Sequence, residues 1–140
     1  MDTEVVNMLN ALAEEGFNAW KDGVTEAQKE HGLGQLAKFK ADEEFRNAEI
    51  AAFTERFNEH DANADGLVNR DEYIAVSKAS EAREVERGGW AMNNDDYQGR
   101  FYAAANMITP GTDGVSMADM MQAITVHMAK NEELKAAAGL

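Results

Sequence analysis

The run Asp61-Ala62-Asn63-Ala64-Asp65-Gly66-Leu67-Val68-Asn69-Arg70-Asp71-Glu72 constrains this chain more than any other part of it. Asp and Asn bond to nearby backbone through short side chains, and glycine reaches backbone conformations closed to other residues, so the run resists helix. On both sides apolar residues recur at helical spacing. Phe45, Glu49, Phe53 and Phe57 stand at four-residue steps with Ile50 alongside, and Tyr73, Ile74 and Val76 follow the run on one face. The sequence therefore predicts a helix over about 42–60, a tight acidic loop, and a helix over about 70–86 that a capping pair, Asn69 and Glu72, opens.

The rest of the chain reads as helix too. Proline occurs once, at Pro110, and strand-like alternation is nearly absent. Val5, Leu9, Leu12, Gly16 and Trp20 give an apolar face to a helix over about 3–21. Thr25 and Gln28 form a second capping pair, opening a helix that Gly32 and Gly34 are expected to interrupt before Leu36 and Phe39. Gly88-Gly89 and Asn93-Asn94 bound a connector. Asp95 or Asp96 begins a helix carrying Tyr97, Phe101, Tyr102, Ala105 and Ile108, which Thr109-Pro110-Gly111 breaks. Ser116 caps a last helix with Met117, Met120, Met121, Ile124 and Met128, and residues 132–140 are expected to fray. The fold class is all-α, in one domain: N-terminal helices over 1–41, a helix–loop–helix over 42–86, another over 94–131, and the tail.

The loop matches D-x-[DN]-x-[DN]-G-x5-E at every fixed position, and here the sequence resembles the EF-hand superfamily of calcium-binding proteins. A hard cation wants oxygen, and Ca²⁺ takes six to eight oxygens at about 2.3–2.6 Å. Alternate residues of a tight loop can turn their oxygens inward. The resemblance implies side-chain oxygens from Asp61, Asn63 and Asp65, the Leu67 carbonyl, a water at Asn69, and both carboxylate oxygens of Glu72. Glutamate at the last position favours Ca²⁺ over octahedral Mg²⁺, which remains possible at low Ca²⁺. Two departures flank the loop: His60 stands where an apolar residue is usual, and Arg56 leans inward.

Two weaker echoes follow. Asp113-Gly114-Val115-Ser116-Met117-Ala118-Asp119 repeats the second half of the loop with one residue deleted, so 109–119 reads as a shortened, degenerate hand. Its ligands are poor, since Thr109 and Gly111 replace the first acidic positions, and its expected role is structural, with Val115 pairing against Val68. Asp22-Gly23-Val24-Thr25-Glu26-Ala27-Gln28 reads either as a helix stop followed by a helix start or as a vestigial hand near 18–28. The poor spacing of the preceding helix favours the former.

Charge narrows the partners. Thirteen Lys and Arg against 26 Asp and Glu leave −13, which repels phosphate backbones and argues against nucleic acid. No apolar run approaches the ~18 residues that span a bilayer, and the acidic start Met1-Asp2-Thr3-Glu4 is unlike a signal peptide, so the expected location is cytoplasmic. The absence of cysteine removes a disulfide framework, a thiolate zinc site and a cysteine nucleophile. His31, His60 and His127 show no ligand or triad spacing and are expected at the surface, and Trp20 and Trp90 are expected to anchor helices or an interface. No enzyme motif is present. The expected function is a Ca²⁺ sensor with one competent site that binds a partner, with a basic amphipathic helix the best match to an acidic, methionine-rich protein. A Ca²⁺ buffer and a Ca²⁺-independent, light-chain-like subunit are the alternatives, and dimerisation is a way to pair an odd number of hands.

Overall fold

Six helices and one two-stranded sheet make up the computed structural model, which describes residues 1–140. The helices are α1 (Thr3–Gly23), α2 (Glu26–Ala41), α3 (Glu43–His60), α4 (Arg70–Glu86), α5 (Asp95–Asn106) and α6 (Met117–Ala137). The strands are β1 (Leu67–Val68) and β2 (Val115–Ser116). The all-α expectation holds, with the small sheet where the two loops meet.

Each helix start carries a side-chain oxygen that takes up an otherwise unpaired backbone N–H. Asp2 receives Glu4, Thr25 receives Gln28, Asp42 receives Phe45, Asn69 receives Glu72, Asn94 receives Tyr97 and Ser116 receives Asp119. At Thr25 and Asn69 the bond is reciprocal, since Gln28 and Glu72 accept from the capping residue's own N–H.

The core gathers Val5, Leu9 and Leu12 of α1, Phe57 of α3, Tyr73 of α4, Tyr97, Phe101 and Tyr102 of α5, and Met120 and Ala123 of α6 around the two strand valines. The most extensive helix pairing is α1 along α6, with α3 on α4 and α4 on α5 next. Thus the N-terminal helix covers the second half of the chain rather than standing apart. Glu49, the one polar member of the α3 row, is explained by α4: Arg83 Nη1 donates to its Oε2 at 2.8 Å, and Arg87 Nη2 lies 3.0 Å from its Oε1.

Four details differ from the sequence reading. The helix α2 runs unbroken through Gly32 and Gly34. It lies against α3, and Arg46 closes its last turn by donating to the carbonyls of Phe39 and Lys40. The helix α5 ends at Asn106, and Met107 and Ile108 continue as turns bonded to Ala104 and Ala105. The helix α6 does not stop near residue 131 but continues to Ala137, where Lys135 lies over the Trp20 ring at 4.8 Å. His127 is not a free surface residue: it is half-buried, stands edge-on to Phe101 and bonds to Tyr97, because α5 packs on the face of α6 that carries it. No helix is long and apolar enough to cross a membrane.

Candidate metal centre

The loop between α3 and α4 is built by its own side chains. Asp61 closes α3 and is buried, at 8% exposure. Its Oδ2 accepts the Gly66 N–H at 2.8 Å across the loop, which folds residues 61–66 into a tight bend. Ala64 and Gly66 both sit at positive φ, 52° and 82°. Glycine accepts this freely, whereas Ala64 carries some strain there. Asp65 Oδ1 accepts the Leu67 N–H at 2.9 Å and fixes the turn into β1. That N–H is the main reason the Asp65 carboxyl is held below its ordinary pKa; slight burial opposes it, and the Asp61 and Asn63 side chains add to it. The side chains of Asp61, Asn63 and Asp65 therefore share one locality.

Glu72 comes to the loop from α4. Its Oε1 accepts the Asn69 N–H at 2.9 Å and its Oε2 the Ala62 N–H at 2.8 Å, so this one carboxylate ties the first turn of α4 to the start of the loop. Leu67 is half-buried in β1, and Asn69 is exposed with its side chain spent on the α4 cap.

One oxygen is left over. Asp61 Oδ1 is buried and has no hydrogen-bond partner. A buried carboxylate oxygen without a partner is unfavourable unless a hydrogen-bond donor or a cation meets it. Asp61, Asp65 and Glu72 also place three negative charges in this short segment. Oxygen-only donors of this kind fit a hard divalent cation, and the orphan oxygen of Asp61 is the atom such an ion would satisfy. No three Asp, Glu or His side chains anywhere in the structure stand together as a finished metal cage. At this loop both Glu72 oxygens accept backbone amides.

The second loop, 109–116, lacks this economy of oxygens. Thr112 Oγ1 bonds to the carbonyls of Thr109 and Gly114, and neither Asp113 nor Asp119 receives a backbone amide on its carboxylate. Its contribution is the sheet. Val68 pairs with Val115 and Leu67 with Ser116, antiparallel, as the sequence predicts for the valines. Gly114 makes this approach possible, since a Cβ there would stand 2.7 Å from the Val68 carbonyl oxygen. Tyr102 locks the same carbonyl from α5, donating its O–H at 3.1 Å, a contact that no local pattern in the sequence announced. Residues 18–23 are the last turns of α1 and Val24 joins no strand, so at Asp22–Gln28 the chain forms a helix stop and a helix start. The flanking residues behave as bystanders: Arg56 donates to Ser80 Oγ at 2.9 Å, and His60 is half-buried at the end of α3.

No protein-family model, curated protein or solved structure matches the chain.

Proposed function

We propose that this protein is a Ca²⁺-binding protein of the EF-hand type with one competent site, in the loop 61–72, and that it acts as a sensor that binds a partner. The observation that carries the reading is the buried, unpartnered Oδ1 of Asp61 inside a loop whose other donors are all oxygens. Asp61, Asn63 and Asp65 would hold the ion through side chains, Leu67 through its carbonyl, Asn69 through water and Glu72 through its carboxylate. A bound Ca²⁺ supplies two positive charges, taking the three site carboxylates from −3 to −1 and the chain from −13 to −11.

The residues already link the site to the rest of the fold. Glu72 leads directly into Tyr73 and Val76, both buried, so a change in how its carboxylate is held bears on the seating of α4. Val68 connects the loop through β2 to α6. These links favour a sensor over a buffer, because an ion that draws Glu72 off the Ala62 and Asn69 amides acts on a core element. The partner class that an acidic surface and the α6 methionines suit is a basic amphipathic helix.

The test is a metal titration by calorimetry with mass measurement of the loaded protein. One Ca²⁺ per chain is expected, in the range of sensor loops, about 10⁻⁷–10⁻⁵ M. Zero sites, or two of similar affinity, overturn the reading. A hydrophobic dye added with and without Ca²⁺ distinguishes the sensor, which brightens it, from the buffer, which does not.

A further inference from the structure

A second chemically distinctive place lies apart from the loop, with no wall drawn from residues 61–72. A cavity of about 360 Å³ opens between α1, α4, α5, α6 and the connector 87–94. That volume lies within the roughly 300–1,000 Å³ of small-molecule sites. Both tryptophans of the chain, Trp20 and Trp90, line it, together with Phe17 and Met92. Trp20 stacks on Phe17 with ring centres 5.9 Å apart, so the two rings form one aromatic block in that wall.

The charged groups of the cavity are unequal. Glu81 and Glu84 line it but are engaged, Glu81 Oε2 accepting the Asn93 N–H at 2.7 Å and Glu84 Oε1 lying 3.0 Å from His31 Nε2. Lys135 is not matched in this way. The one carboxylate whose charge bears on it, Glu132, bridges to Lys40 at 3.6 Å, and the Lys135 ammonium rests over the Trp20 ring. Burial holds the Lys135 pKa below its ordinary value against the pull of Glu132. An ammonium in this position gains from an anion that reaches it.

His127 adds a polar group without charge. Tyr97 spends its one proton on the Leu12 carbonyl at 2.6 Å, so the 2.8 Å bond between Tyr97 and His127 Nε2 is donated by the imidazole. Its Nδ1 is then a lone-pair acceptor, and burial, which lowers the His127 pKa, keeps the ring neutral. The cavity therefore combines aromatic side chains, a neutral imidazole and one ammonium without a salt bridge of its own.

We propose that this cavity binds a small, flat aromatic carboxylate, its ring against the apolar wall of Phe17, Trp90 and Met92 and its acid group on Lys135. A cationic aromatic reaching the same end of the cavity would meet Lys135 as a like charge, while Glu81 and Glu84, which keep their charges, do not bear on that ammonium.

The experiment uses the full chain in chelator, so that its outcome is independent of the metal reading. Three probes of one ring system are titrated by calorimetry: 2-naphthoate, neutral 2-methylnaphthalene and 2-naphthylmethylammonium. Tryptophan fluorescence reports the site, since both indoles are in its wall. Saturable 2-naphthoate binding is expected, at least tenfold tighter than either other probe and quenching the indoles. Lys135→Met keeps the apolar stem, so it should weaken 2-naphthoate at least tenfold while leaving 2-methylnaphthalene unchanged. Absence of saturable binding, preference for the ammonium, or a folded Lys135→Met with full 2-naphthoate affinity would each overturn the proposal. The ranking of the three probes on the unaltered chain decides it even if the variant fails to fold.

Discussion

Glu72 both caps α4 and stands at the twelfth position of the loop, and glutamine separates the two roles. A glutamine can still accept the Asn69 N–H, as Gln28 does for Thr25, so Glu72→Gln should leave the helix start and the circular dichroism of the chain nearly unchanged. It removes one of three negative charges and the symmetric two-oxygen grip. Ca²⁺ affinity should fall at least tenfold, about 1.4 kcal/mol. Asp119→Asn is the control, because its loop has Thr109 in the place of Asp61 and so no carboxylate there. Equal losses from the two substitutions, measured by calorimetry, would transfer the site to the second loop. Glu49 tests a different balance. Burial opposes its charge, but hydrogen bonds from Arg87 and Arg83 outweigh it and hold its carboxyl below the usual range. Glu49→Leu leaves two arginines side by side without their acid, and urea unfolding should show a loss of about 1–3 kcal/mol. Because the folded pKa is depressed, this contribution is present above the ordinary carboxylate value of 4.5 and disappears as the pH falls through the folded one.

Among the elements, glycines separate what the sequence shows from what it hides. Gly32 and Gly34 read as breaks, yet α2 carries them inside a continuous helix, because caps and contacts along a whole element outweigh two poor residues. A Cβ at either meets nothing within 4 Å. Gly32→Ala should therefore stabilise the chain, by about 0.5–1 kcal/mol in urea unfolding. Gly114→Ala should do the opposite. Its Cβ would meet the Val68 carbonyl at 2.7 Å, and backbone cannot swing aside as a side chain can. A loss of about 1–3 kcal/mol is expected, and on the proposed function weaker Ca²⁺ binding, because β1 lies within the loop 61–72. A stable, fully binding Gly114→Ala protein would show that the sheet is dispensable. The caps at Thr25, Asn69 and Ser116 and the pairing of Val68 with Val115 were legible because each is written in a few adjacent residues. The orphan oxygen of Asp61, the Glu72 bond to the Ala62 amide and the Tyr102 contact were not, since each depends on where a distant element or a rotamer falls.

At the scale of the whole molecule, α1 along α6 decides which residues are interior, and no local pattern announces that pairing. It buries Val5, Leu9, Leu12 and Phe17 beside an α6 that runs beyond its expected end, while α5, packed on α6, sets Tyr97 and Phe101 against His127. His127 thereby becomes a titrating reporter of the closed fold. Burial depresses its pKa from the ordinary 6.5, so as the pH falls the unfolded chain takes up this proton before the folded one. Its contribution to stability is full above about 6.5 and is lost as the pH falls from there toward the folded value, with a slope of at most about 1.4 kcal/mol per pH unit. The depressed carboxyls Glu15, Glu49 and Asp65 begin to act only below their ordinary values of 4.5, 4.5 and 3.8, which leaves a window where histidine dominates. Urea unfolding in chelator should therefore show stability declining between about pH 6.5 and pH 5. His127→Gln retains a group able to donate to Tyr97 and carries no titrating charge. It should cost stability at neutral pH through poorer packing and should flatten the decline, whereas His31→Gln and His60→Gln should leave the slope from His127 in place. A His127→Gln protein with the same slope as the parent would mean that this imidazole is protonated in the folded chain and that the packing of α5 on α6 does not exclude the charge.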